Sequence, residues 1–171
     1  TGKGKLTWPN GDVYEGDWVD SMSTGKGKYT WANGNVYEGD WADDMMTGKG
    51  KITWANGDVY EGDFVDGVIT GKGKIIWGRG QWNGSVYEGD FVENKRTGKG
   101  KLTFSNGAVY EGDFVDDMVT GKGIFTMVDG NVYEGDFVDG KFNGQGTLYE
   151  DDGVYVGVFV DGKRTSKGKF T

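Results

Sequence analysis

Two kinds of charged pair recur along this sequence with spacing that could do chemistry. Carboxylates stand two residues apart at Glu15/Asp17, Glu38/Asp40, Glu61/Asp63, Glu88/Asp90, Glu111/Asp113 and Glu134/Asp136. Paired carboxylates run acid–base chemistry when their surroundings push the two pKa values apart. Identical pairs repeated along one chain lack that difference, so they read as solvated or lysine-paired groups. Calcium is a weaker reading still. The GGxGxD run of calcium-binding repeats is missing and the Asp-rich turns offer single ligands, so no metal is expected. Lysines recur at Lys3/Lys5, Lys26/Lys28, Lys49/Lys51, Lys72/Lys74 and Lys99/Lys101. Such a row could touch lipid phosphates. Cross-strand pairing of Lys5-type lysines with Asp17-type carboxylates, worth about 0.2–1 kcal/mol each, is the preferred reading.

What is missing narrows the chemistry further. The chain has no His and no Cys. That removes a Ser-His-Asp triad, a cysteine nucleophile, a histidine base and the usual zinc and haem ligand sets. No catalytic residue and no cofactor is expected. The formal net charge of -8 argues against nucleic acid and disfavours attachment to anionic membrane lipid. No apolar run reaches the roughly 18 residues of a membrane span. The opening Thr1-Gly2-Lys3-Gly4 falls in mid-pattern and reads as the start of a mature or excised segment. A cytoplasmic setting is favoured over an extracellular one, which use of the Asn83-Gly84-Ser85 glycosylation sequon would require.

The elements that carry these pairs follow from a repeat. TGKG begins at Thr1, Thr24, Thr47, Thr70, Thr97 and Thr120, and Asn143-Gly144-Gln145-Gly146 takes the seventh place. The units span 1–23, 24–46, 47–69, 70–96, 97–119, 120–142 and 143–164, with a partial unit at 165–171. Four glycine positions recur in seven units, which puts 28 of the 34 glycines in phase. Each unit reads as a β-hairpin. Lys5-Leu6-Thr7-Trp8 and Val13–Val19 alternate with period two, and Asn10-Gly11 marks the turn between them.

A three-residue loop, Asn10-Gly11-Asp12, would set Trp8 opposite Tyr14, Leu6 opposite Gly16, Gly4 opposite Trp18 and Lys5 opposite Asp17. The rings then share one face, with glycines as holes for them. The expected fold is all-β: an elongated, single-layer, twisted antiparallel sheet of about seven tandem hairpins, fourteen strands in one domain over 1–171. Unit seven is one residue short after Gly153, which calls for a bulge.

YEGDWVD at Tyr14–Asp20, preceded by GxG and an Asn-Gly turn and followed by the next GxG, resembles the MORN (membrane occupation and recognition nexus) repeat. YEGD recurs at Tyr37, Tyr60, Tyr87, Tyr110 and Tyr133, and the last unit departs as Tyr155-Val156-Gly157-Val158-Phe159. The resemblance implies a hairpin ribbon with a concave aromatic groove. It also implies a non-enzymatic module that binds peptide, associates with membranes, self-associates or sits beside a catalytic domain.

The groove would be lined by Trp8, Trp31, Trp54, Trp77 and Phe104, by Tyr14, Tyr37, Tyr60, Tyr87, Tyr110 and Tyr133, and by Trp18, Trp41, Phe64, Phe91, Phe114 and Phe137. The plainer reading is that these rings are the only core available. Val154, Val156, Val158 and Val160 replace charge with an apolar strand face, expected to be covered by a capping element or used as an assembly surface. The insertion at Gly78–Ser85 carries Trp82 and Asn83, a candidate glycan acceptor. The expected partner is a protein or peptide segment with basic and apolar residues. The alternatives are a self-assembling structural subunit and membrane attachment through the lysine row.

Overall fold

The computed structural model describes residues 1–171. Fifteen strands pair in sequence order in one open antiparallel sheet. The first seven are β1 (Gly2–Thr7), β2 (Val13–Val19), β3 (Met22–Thr30), β4 (Val36–Ala42), β5 (Met45–Thr53), β6 (Val59–Val65) and β7 (Val68–Ile76). A 3-10 turn at Gly80–Trp82 precedes β8 (Val86–Val92), β9 (Lys95–Thr103), β10 (Val109–Val115) and β11 (Met118–Thr126). The chain ends in β12 (Val132–Val138), β13 (Lys141–Glu150), β14 (Gly153–Val160) and β15 (Lys163–Phe170). The expected all-β architecture of tandem hairpins therefore forms. The strand count exceeds fourteen because the partial eighth unit folds as β15. Two compact units, each made of several repeats, share the chain: a first unit, Thr1–Gly84 with Phe91–Asn94, and a second unit, Ser85–Asp90 with Lys95–Thr171.

The hairpin register differs from the expected one by two residues. Leu6 faces Tyr14, Gly4 faces Gly16, Lys3 faces Asp17 and Lys5 faces Glu15. The cause lies at Trp8, whose carbonyl accepts the Gly11 N–H at 2.9 Å and whose N–H donates to the Asp12 carbonyl at 2.9 Å. Pro9 follows Trp8, and proline at the second turn position presets the backbone for bending. Trp8 and Asp12 thus close a five-residue loop instead of extending the strands. The loop stays odd, so the rings remain on one face.

A second, tighter turn joins each Tyr-bearing strand to the next. Asp20 and Ser21 take φ of 49° and 68°, and Asp43 and Asp44 take 48° and 64°. Positive φ at both central residues is the mirror-type hairpin turn that fits the twist of its strands. Glycine serves at the second position at Gly67, with φ of 80°. In unit seven the one-residue deletion needs no bulge. Asp151-Asp152 makes a two-residue turn, so that Glu150 faces Gly153 and Leu148 still faces Tyr155.

A bulge beside this turn explains the GxG and YEGD motifs together. Gly16 faces Gly27, but Asp17 faces Thr24, so Gly25 and Lys26 are extra residues on β3. Gly25 adopts φ of 59° there. The Asp17 carboxylate accepts the Lys26 N–H at 3.0 Å, and the same bond recurs from Lys49 to Asp40 at 3.0 Å. The Asp17 carbonyl accepts the Tyr14 hydroxyl at 3.1 Å. A phenol can therefore be buried there with its hydroxyl satisfied, which a phenylalanine would not exploit.

The core is the ring ladder that results. Tyr14, Tyr37, Tyr60, Tyr87, Tyr110 and Tyr133 are at most 1% exposed. In the first unit Trp41 meets Tyr14 and Tyr37 edge-on at 5.1 and 5.3 Å, and Phe64 meets Tyr37 and Tyr60 at 5.1 and 5.3 Å. In the second unit Phe114 meets Tyr87 and Tyr110 at 4.9 and 5.3 Å, and Phe137 meets Tyr110 and Tyr133 at 5.0 and 5.2 Å. Each edge-to-face pair adds about 0.5–1.5 kcal/mol beyond area burial. Strand glycines such as Gly27, Gly50 and Gly73 are holes for rings, as expected, but tyrosine fills them, and Trp18 lies only against Gly4.

Candidate binding face

The burial pattern separates the predicted groove residues into two sets. All six tyrosines, with Trp41, Phe64, Phe91, Phe114 and Phe137, are buried in the ladder. Trp8, Trp31, Trp54, Trp77, Phe104 and Trp18 are half-buried and present ring surface. Within the first unit, Trp8, Trp31 and Trp54 each open a five-residue loop, and Trp77 opens the longer loop of the insertion.

Side chains that the sequence reading missed staple these loops to one another. The Asp12 carboxylate accepts the Ala32 N–H of the next loop at 2.8 Å and the Tyr29 hydroxyl at 2.7 Å. Asn35 accepts the Ala55 N–H at 2.9 Å, and Asp58 accepts the Gly78 N–H at 2.8 Å. These bonds hold the Asp12 carboxyl below its ordinary value of 3.8, the Ala32 N–H contributing most and Tyr29 next. Burial, helped by Asp12, pushes the Tyr29 hydroxyl up to about 12. The polar residue that recurs at the loop end, Asp12, Asn35 and Asp58, was the available signal.

Tyr29 links neighbouring tryptophans, with ring centroids 5.4 Å from Trp8 and 4.8 Å from Trp31. Trp82 of the insertion packs beside Trp77 at 6.0 Å and remains 36% exposed. The second unit has a different lining. There Phe104 meets Phe125 at 6.0 Å, Phe142 stacks on Tyr133 at 3.8 Å, and Met127 opens the next loop.

The opposite sheet face carries the charge. Lys3 pairs with Asp17 at 2.9 Å, Lys49 with Asp63 at 2.5 Å and Lys26 with Asp40. In the second unit Lys101 pairs with Glu111 at 2.7 Å and Lys99 with Asp113 at 2.5 Å. The expected pairing of Lys5-type with Asp17-type residues is thus corrected by the two-residue register shift: Lys3-type residues take Asp, and Lys101, of Lys5 type, takes Glu. Asp17, Asp40, Asp63, Asp113 and Asp136 all lie below the ordinary carboxylate value, first because of the lysine bond. Each of these aspartates also accepts a backbone N–H from the bulge of the next strand, so it has a structural task in the sheet.

Val154, Val156, Val158 and Val160 share the charged side of β14, turned away from buried Tyr155 and Phe159. Val156 and Val160 are 54% and 50% exposed. Asn83 is exposed, while Ser85 is 2% exposed and accepts the Ser105 N–H at 3.1 Å. That serine thus has a structural task of its own, the same loop staple as Asp12. No helix is long and apolar enough to cross a membrane.

Tandem hairpins, a bulged GxG strand against a YEGD strand and a tyrosine ladder define an open repeat-sheet scaffold. The MORN repeat model matches residues 1–13, 14–36, 37–59, 60–82, 87–109, 110–132, 133–154 and 155–171, and the chain belongs to that family. No curated protein matches it significantly. Among solved structures it is similar to the TCP domain of Drosophila melanogaster SAS-4 (dCPAP) in complex with a proline-rich motif of Ana2 (dSTIL). That match has 15% identity and a TM-score of 0.51, covering 91% of this chain and 78% of that one. It is also similar to the TCP10 domain of Danio rerio CPAP in complex with a STIL peptide, at 15% identity and a TM-score of 0.53, covering 91% and 74%. At this identity the likeness is one of fold.

Proposed function

We propose that this chain is a non-enzymatic scaffold that binds an extended protein segment along the tryptophan row of its first unit. The observation that carries this reading is the half-buried set Trp8, Trp31, Trp54 and Trp77, held at loop mouths by side-chain staples. Tryptophan presents a large rigid surface with one polar edge, and it dominates binding energy at protein interfaces. The staples preorganise the rings, so little ordering remains to be done on binding. The net charge of -8 favours a segment with Lys or Arg between apolar anchors. Two sheets of related fold are described with bound peptides, one of them a proline-rich motif, which supports an extended peptide over nucleic acid.

The lysine row supports lipid less well, because Lys3, Lys26 and Lys49 are paired with carboxylates. Self-assembly is kept as a second reading on one observation, the exposed valine face of β14.

An immobilised library of extended basic-apolar and proline-rich peptides tests the primary reading. The wild-type chain is expected to select a peptide set that the Trp31→Ala/Trp54→Ala double variant loses, with an unchanged thermal melt. Selection of the same peptides by the double variant would refute it, as would selection of none.

A further inference from the structure

We propose that the tight-turn end of the first unit is a docking surface for a basic amphipathic helix of a partner protein, laid across the strands on the charged side of the sheet. On that side, the last residue of each Tyr-bearing strand faces the first residue of the next strand across the turn. In the first unit both members are apolar: Val19 faces Met22, Ala42 faces Met45 and Val65 faces Val68. Met22, Met45 and Val65 are 40%, 43% and 54% exposed. Met45 and Val65 lie on β5 and β6, which have paired neighbours on both sides, so the stripe runs through the interior of the sheet.

The second unit shows the charged alternative. Lys95, at the repeat position of Met22 and Met45, pairs with Asp116 of the following turn, and Lys141 pairs with Asp161, each at 3.5 Å. Only Met118 keeps the apolar form there. In the first unit each turn is clamped to the strand of the preceding repeat. The Asp44 N–H donates to the Ser23 carbonyl at 3.2 Å, that of Gly67 to Met46 at 2.8 Å and that of Asn94 to Ile69 at 2.9 Å. Asp43, Asp66 and Glu93 thus stand beside Met22, Met45 and Val68, which cannot neutralise them. None of these three carboxylates has a hydrogen bond or ion pair within the chain. Their turns hold them at φ of 48°, 49° and 48°. An exposed apolar stripe bordered by unpaired carboxylates is complementary to a segment that supplies apolar residues and the missing Lys or Arg together.

Spacing selects a helix. The stripe advances by one strand, about 4.8 Å, between apolar positions and by two strands, about 9.5 Å, between carboxylates. A helix rises about 5.4 Å per turn and brings a side chain back to the same face after seven residues, about 10.5 Å. An extended strand repeats a face about every 6.7 Å and falls out of step. The long stems of Lys and Arg absorb the remaining mismatch, and the thioethers of Met22 and Met45 adapt to the surface they meet. A second copy of this chain is a poor occupant, because it would bring its own acidic turns against Asp43 and Asp66. Anionic lipid is disfavoured for the same reason.

The probe is a fluorescein-labelled helical peptide of about 20 residues, the length that spans roughly 30 Å, with Leu along one face and Lys along its border. It is titrated with the full 171-residue chain and read by anisotropy. Saturable binding is expected, weakened by added salt. Met22→Lys with Met45→Lys installs the second unit's lysine position and should weaken binding by about tenfold or more, with no loss of thermal stability. Met22→Gln with Met45→Gln, which leaves the net charge unchanged, should weaken it as well. The Trp31→Ala/Trp54→Ala variant should bind this peptide normally, which separates the stripe from the tryptophan row. Absence of saturation at millimolar peptide overturns the proposal, as does equal binding of a scrambled peptide of the same composition. So does a concentration-dependent dimer, or pelleting with phosphatidylserine vesicles, that the Met22→Lys/Met45→Lys variant abolishes, since a second copy or a membrane would then hold the stripe.

Discussion

Tyr60 sits over Gly73 on the neighbouring strand, so close that a methyl group there would lie 2.6 Å from the ring Cζ. The phenol hydroxyl meanwhile donates to the Asp63 carbonyl at 3.1 Å. Ring, missing side chain and bulge form one device, and it explains why Tyr, Gly and Asp recur together. Gly73→Ala should therefore destabilise by about 1–3 kcal/mol, the usual overpacking cost. Tyr60→Phe should lose about 1 kcal/mol for one hydrogen bond. Urea unfolding of both variants checks the order, and an alanine at 73 without effect contradicts the device.

The loop staples make a second prediction. Asp58→Ala removes the acceptor of the Gly78 N–H, which it holds at 2.8 Å. A loss of about 1 kcal/mol is expected, with Asp58→Asn largely retained because asparagine serves at position 35. Hydrogen exchange at the Gly78 amide should quicken in the alanine variant alone. Equal exchange in all three proteins would remove the staple from the account.

Stability should hold from mildly acid to mildly alkaline pH and fall outside that range. The Asp17-type carboxyls are lowered in the fold, so their contribution is present above the ordinary value of 3.8 and is lost as pH falls through their folded values. Tyr60 and Tyr133 are raised by burial from 10.0 to about 12, so their contribution is intact below 10.0 and is lost as pH rises through about 12. Thermal melts across pH should show both flanks. Replacing Asp63 by Asn should flatten the acid flank, and an unchanged acid flank would detach it from these pairs.

The valine face of β14 makes a further prediction. Val156 is 54% exposed, and Val154, Val158 and Val160 lie on the same face. If this face joins copies of the chain, Val156→Glu with Val158→Asp should leave a monomer at all concentrations. Sedimentation velocity reads this directly, and a wild-type protein that is itself monomeric throughout removes the assembly reading.

Much of the fold was legible because the repeat carries its own punctuation. Asn-Gly turns, period-two alternation and in-phase glycines lead to a sheet of hairpins without further information. The register was not legible, because Trp8 looks like a strand residue and only its bonds to Gly11 and Asp12 place it in the loop. The tight turn was hidden for a similar reason. Asp66-Gly67 is a plain turn signal, but Asp20-Ser21 and Asp43-Asp44 adopt the same positive φ without glycine. The binding face was legible only in part. Composition reveals many rings, but which ones are buried depends on the glycine gaps, and these put Tyr60 inside and leave Trp54 half outside.

Binding of an extended segment by the first unit's tryptophans can be followed at each indole. The most direct test is a titration of protein labelled with 15N at its indoles, using the best peptide from the library and following each tryptophan side-chain resonance by NMR. Saturable shifts are expected at Trp31 and Trp54, with Trp41, buried at 7% exposure, moving little. Shifts confined to Trp18 or Trp82, or none at saturating peptide, would contradict it.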